Sequence, residues 1–246
     1  MSLALTLAAV ARLLAAGDTT SALRAAPADP ARATACEALA PLRGVPADAA
    51  RGVAASIALH GATARWADRA GAPIRVWVEP RVDRESRSAR TPAEWRHAVT
   101  AALTAWGRVP TVPRFALVDH AIDAEVRVVW APALSAAAAD SFATGLASFA
   151  AGRTELTRAD DGEVRRAVVT LARATPTGVP YSRRDVTAVA VHELGHVLGL
   201  AHRSDAPSVM SPLVTVDAVT DVDAATVRAL YALPVGTRCA EPPATR

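Results

Sequence analysis

The chain contains no lysine; all 27 strong bases are arginine. Alanine is very abundant, and together these two biases mark GC-rich coding. Arginine clusters therefore carry less weight as evidence here than in an ordinary sequence. The net charge is only +3, and no basic run is interleaved with aromatics. Nucleic-acid binding is therefore not expected. Cysteine is scarce as well. Cys36 and Cys239 stand near opposite ends, as free thiols in a reducing compartment or as one tie between extension and tail in an oxidising one. Spacing alone does not choose, because a disulfide requires proximity. Long apolar runs are missing too. Leu3–Ala16 is too short to span a membrane. It is like a secretory h-region ending in Ala15-Ala16-Gly17, yet it lacks a basic n-region and Arg12 interrupts it, so an ordinary alanine-rich helix fits equally. A secreted or cell-envelope location is the expectation.

A chain of 246 residues, 51% apolar, can hold one sizeable domain plus an extension. Histidine is sparse, with six in all, yet three fall in His192-Glu193-Leu194-Gly195-His196-Val197-Leu198-Gly199-Leu200-Ala201-His202. On an α-helix, residues four apart lie roughly 40° apart around the axis and about 6 Å apart along it. His192 and His196 thus project from one face and can converge on one ion. Glu193 lies about 60° around from His196, where its carboxylate can reach a water beside that ion without being a ligand. Gly199 falls where the helix should end, and glycine tolerates the left-handed turn that brings His202 back as a third ligand. Three imidazole nitrogens leave the fourth tetrahedral position of Zn²⁺ open, which distinguishes a catalytic zinc from a structural one. The rival reading is a buried amphipathic helix with coincidental histidines. It requires burying several polar side chains without partners, which is costly. His60, His97 and His120 lie on different elements without ligand spacing and read as structural or surface residues.

HELGHVLGLAH, followed by RSDAPSVMSP with Met210 eight residues after His202, resembles the matrixins, the matrix-metalloprotease-like branch of the metzincins, here of bacterial type. Weaker similarity lies in Asp223 opening a helix that ends at Leu230-Tyr231, in the strand-like Ala124–Trp130, and in a hairpin over Gly152–Ala172. The resemblance implies an α+β, metzincin-like zinc protease domain over residues 71–235, with a twisted mixed β-sheet, an active-site helix and a C-terminal helix. It implies one catalytic Zn²⁺ on His192, His196 and His202, Glu193 as general base, and Met210 as an apolar floor under the imidazoles. Protein or peptide substrates follow, with one hairpin strand pairing with the substrate backbone. The enzyme is expected to act as a monomer. Ser211 stands where matrixins usually carry a tyrosine, so the pocket built from Ser211, Pro212, Leu213 and Val214 departs from the family pattern. The upstream histidines of a second, structural zinc are missing. Pro41-Leu42-Arg43-Gly44-Val45-Pro46 is similar to a cysteine-switch motif without its cysteine, and Cys36 lies five residues too early.

Around that centre the organisation is as follows. Residues 18–35 read as a linker. Residues 36–70 have helical spacing broken near Gly44 and Pro46, as in a propeptide, a helix packed on the domain, or a weakly ordered arm. Residues 1–70 together form the N-terminal extension. Ile74–Val78 alternates as a half-buried strand. Thr91-Pro92-Ala93-Glu94 combines a capping box with proline at the first helical position, and Trp95, Val99, Ala102, Leu103 and Trp106 share one face of the helix up to Gly107. Phe115–Val118 and Ala124–Trp130 read as strands, and 131–150 as a loop. Asp161-Gly162 turns a hairpin between Thr154–Thr157 and Val164–Leu171. Its aspartates are candidate Ca²⁺ ligands, although two adjacent acids in a turn are ordinarily just solvated. Ser182–Asp185 caps the histidine helix, the last helix begins at Asp223, and 236–246 is a polar tail. Two other functions compete with a peptidase: a catalytically degenerate scaffold that binds a partner protein, and a zinc hydrolase of a non-peptide amide.

Overall fold

A computed structural model describes residues 21–22, 42–80, 92–134, 151–214 and 216–239. The signal-like segment, Cys36, Thr91, the loop over 135–150 and the last residues of the tail lie outside this set.

Alternation of branched residues builds a six-stranded mixed sheet. Its strands are β1 (Ser21–Ala22), β2 (Ile74–Val78), β3 (Phe115–Leu117), β4 (Val126–Ala131), β5 (Gly152–Arg158) and β6 (Val164–Ala172), in spatial order β1-β5-β6-β4-β2-β3. The β3, β2, β4 and β6 ladders are parallel, whereas β5 runs antiparallel to β6 and β1 antiparallel to β5. Ile74, Val76, Val78, Val126, Val128, Val164, Ala167, Val169 and Leu171 point into the core. The expected strand limits shift by a residue or two. β3 ends at Leu117, and β4 begins at Val126 because Ala121–Asp123 forms a turn of 3₁₀ helix just before it. The β5–β6 hairpin turns at Gly162, whose φ of 94° suits glycine, and a Cβ there would come within 2.8 Å of the Thr63 carbonyl.

Among the described residues there are four helices, α1 (Ala47–His60), α2 (Pro92–Gly107), α3 (Arg183–Val197) and α4 (Asp221–Ala232), of which α2 and α3 pack against the sheet. On α2 the expected face is buried, with Trp95, Val99, Ala102, Leu103 and Trp106 in the core. The Trp106 indole donates to the Val191 carbonyl at 2.8 Å and so locks α2 onto α3. A capping box opens α3: the Ser182 hydroxyl accepts from the Asp185 amide, and the Asp185 carboxylate accepts from the Ser182 amide at 2.8 Å. Such a cap contributes on the order of 1 kcal/mol. From Ala188 to Val197 every residue of α3 is buried, as expected of a helix enclosed on all sides. The last helix starts two residues earlier than expected. Thr220 is its N-cap and Asp223 its third residue, again in a capping box.

Of the three forms open to residues 36–70, Ala47–His60 takes the packed helix. Val53, Ala54 and Ile57 join the same core as the sheet, and α1 packs against α4. Cys239 is disulfide-bonded. Among the described residues no helix is long and apolar enough to cross a membrane.

Candidate metal centre

The last turns of α3 bury His192, Glu193 and His196. A buried polar side chain destabilises the fold unless it finds partners, so the fate of each polar atom defines the site. His192 Nδ1 lies 2.6 Å from the Val209 carbonyl and His196 Nδ1 lies 2.8 Å from the Leu200 carbonyl. A carbonyl can only accept, so both Nδ1 atoms carry the proton and both Nε2 lone pairs are left for another partner. The helix ends at Val197, and Gly199, at φ 96°, reverses the chain. A Cβ on Gly199 would overlap the Ala64 carbonyl oxygen. The reversal brings His202 back to the others. The Nε2 atoms of His192, His196 and His202 lie 3.1 Å from one another.

That triangle suits one ion. Nitrogens arranged tetrahedrally at 2.0–2.1 Å from zinc are about 3.3 Å apart. The three histidines form the metal-capable group found among the described residues, and Glu193 is not one of its members. Burial and the neighbouring charge of His202 bring the His192 pKa down to about 4. Burial, His202 and His192 also push His196 well below its ordinary value. Neutral imidazole is the ligating form, so the pair is ready to bind metal at neutral pH. Soft and borderline metals that accept nitrogen donors, zinc foremost, match this donor set.

The floor and the roof of the centre come from distant segments. Met210 packs beneath α3, where a Cβ on Gly195 would overlap its sulfur; this is the close approach that a mid-helix glycine permits. Asp223 is buried and accepts from the Ser208 hydroxyl, the Val209 amide at 3.1 Å and the Thr220 amide at 3.0 Å. It therefore holds the backbone of Val209, the residue whose carbonyl orients His192. Above α3, the Thr154 hydroxyl of β5 donates to Glu193 Oε2 at 2.6 Å. Gly152 presses so closely that a Cβ there would overlap Glu193 Oε1 and come within 2.7 Å of Val189 Cγ1. Burial pushes the Glu193 pKa up to about 7, while the Thr154 hydrogen bond pulls it down.

His192, His196, His202, Glu193, Gly199 and Met210 thus gather at one place. The pocket residues are less closely gathered. Ser211 continues the methionine turn by donating from its amide to the Ser208 carbonyl at 3.2 Å, and Leu213 is 64% exposed. Sequence reading missed Gly152 and Thr154 as groups that shape Glu193, and it saw Asp223 only as a helix start. The one available signal for the first pair was a small residue and a hydroxyl two apart on a strand, which places both on one face.

Fold and site together define a class: an α+β protein with a three-histidine candidate metal centre on one helix and the turn after it, bordered by an antiparallel strand, β5, near the edge of the sheet. Residues 79–232, well over half of the chain, match the matrixin family model, and the chain belongs to that family of metallopeptidases. No curated protein matches it.

Proposed function

We propose that the protein is a zinc-dependent endopeptidase that cleaves peptide bonds using a water activated by Glu193. The observation that carries this reading is the convergence of three Nε2 atoms at 3.1 Å beside a buried carboxylate held by β5. His192, His196 and His202 would hold the ion. Zinc in such a site acts as a Lewis acid and lowers the pKa of bound water to about 7. Glu193 accepts the proton released as water attacks the scissile carbonyl and returns it to the departing amine. In the metal-free protein burial raises its pKa toward neutrality, which favours a group that both takes up and returns a proton. Thr154 fixes one carboxylate oxygen and so limits rotation of the group. No serine or cysteine nucleophile takes part, and no acyl-enzyme forms.

An extended peptide is the substrate that the edge strand favours. β5 lies at the side of the sheet next to α3, and its outer face already accepts an antiparallel partner in Ser21–Ala22. Main-chain pairing of that kind gives affinity with little demand on sequence. The disulfide at Cys239 supports a secreted or envelope location, since disulfides persist in oxidising compartments. Glu193→Ala should retain stoichiometric zinc while peptidase activity falls by about 10³-fold. His202→Ala should lose both. Retained cleavage in the first variant, or an unchanged zinc content in the second, would remove these assignments.

A further inference from the structure

Of the three ligands His202 is the one that no helix holds. It lies in the irregular stretch after α3, so the backbone around it must be fixed by other means. Three ties do this. The Leu200 amide donates to the Gly195 carbonyl of α3 at 3.0 Å, and the Arg203 amide donates to the Met210 carbonyl at 3.0 Å. The third runs to α1: the Ala201 amide, immediately before His202, donates to Ser56 Oγ at 3.0 Å. Ser56 is buried, and its hydroxyl hydrogen is given to the Gly52 carbonyl at 2.9 Å, so its oxygen is presented to Ala201 as an acceptor.

The seat of α1 is built for this contact. A Cβ on Gly52 would come within 2.7 Å of Thr226 Cγ2 and 3.3 Å of Arg203 Nη1, so only glycine lets α1 approach α4 this closely. Arg51 reaches Asp205 at 3.0 Å, and Asp205 also accepts from Arg203 at 2.9 Å. The segment after α1 continues the clamp. Ala64 packs on Gly199, and the Trp66 indole donates to the Val197 carbonyl at 2.9 Å. All these residues of the N-terminal extension precede the stretch that matches the family.

We infer that Ser56 is a positioning residue for the third zinc ligand, and that α1 and the segment after it, residues 47–66, belong to the metal centre rather than to a removable leader. This rests on the proposed zinc site. Any proteolytic maturation that preserves the enzyme then cuts before Ala47. Residues that orient metal ligands from outside the coordination sphere typically change metal affinity by about 10–100-fold when removed.

The test compares zinc dissociation constants, measured by chelator competition, with the melting temperature of the zinc-free protein and with the visible spectrum of the Co²⁺-loaded form. Ser56→Ala should weaken zinc binding about tenfold and alter the Co²⁺ ligand-field bands. Ser56→Thr, which keeps the acceptor oxygen, should restore most of the affinity. Gly52→Ala keeps the Ser56 hydroxyl in the sequence but lifts α1 off α4 and so draws that hydroxyl away from the Ala201 amide, and it should weaken zinc by a similar factor. A merely structural role predicts a lower melting temperature with zinc affinity within twofold of wild type in both Ser56→Ala and Gly52→Ala, and that result overturns the inference. Zinc uptake by the wild type tests the site itself, whereas the ratio of variant to wild-type constants tests Ser56, so the two ideas fail separately.

Discussion

The two sides of the sheet solve the same problem in opposite ways. On one side β3 is three residues long, parallel to β2, and packed against α2. On the other, β5 has seven residues, runs antiparallel to β6, packs against α3, and has its outer ladder partly covered by the two residues of β1. Unpaired strand edges invite association with other chains, and proteins commonly blunt them by shortening the strand. β3 is blunted in this way, whereas β5 is kept long at the end that meets Glu193. An edge is worth keeping where pairing with another strand is the function. The register shows how. Ser21 and Ala22 oppose Leu156 and Glu155, and a partner extended in the same sense passes Thr154 and then Gly152, the residues that shape the carboxylate.

If that contrast is right, damage at the start of β5 should be severe and specific. Gly152→Ala places a methyl where Glu193 Oε1 and Cγ now lie. The carboxylate must move, and a misplacement of about 1 Å can cost about 10²-fold in rate. The expected outcome is a fall of that order in kcat/KM on a fluorogenic peptide, with zinc per chain unchanged. A variant that keeps full activity would show that the carboxylate does not need its present position. Thr154→Val is the next largest. The lost hydrogen bond favours the charged carboxylate, so the Glu193 pKa rises further from about 7. A hydrogen bond to a charged group contributes about 1.5 kcal/mol, or about one pH unit. A general base works above its pKa. The acidic limb of the kcat/KM profile should therefore move to higher pH by about one unit, with activity at pH 7 reduced up to about tenfold. A limb that stays in place would assign the limb to some group other than Glu193.

The sequence carried one half of this contrast and not the other. The convergence of the three histidines was legible because it follows from helix period and one turn within His192–His202, a stretch whose meaning is local. The α2 face and the Asp161-Gly162 reversal were legible for the same reason, since both follow from spacing along a few residues. Gly152 and Thr154 were not, because their partner is 39 residues further on for Thr154, and only the fold brings them together. Ser56 meets Ala201 across 145 residues, and nothing about a serine in an alanine-rich helix announces such a contact. Asp223 shows both cases in one side chain. Its capping of α4 is local and marks a helix start, although Thr220, three residues before the expected start at Asp223, is the N-cap. Its hold on Ser208 and Val209 is tertiary and was invisible.

Two smaller effects sharpen the comparison further. A chain beginning at Leu23 lacks β1 but keeps both cysteines. With the outer side of β5 released, KM for an extended peptide should fall a few-fold while kcat stays the same. An unchanged KM would mean that Ser21–Ala22 do not compete with substrate for this edge. The smallest effect belongs to the opposite side. Ala116→Thr on β3 replaces a poor strand former with a β-branched one, so stability should change by only a few tenths of a kcal/mol, about what such propensities measure. Three strands, β2, β4 and β6, separate β3 from β5, and β3 supplies no group to the centre. Activity should therefore stay within about twofold of wild type, the range expected when a surface change of up to about 0.5 kcal/mol is not transmitted to the site. A tenfold loss would mean that strain crosses the whole sheet from the blunted edge to the receptive one, and the two sides could no longer be treated as independent.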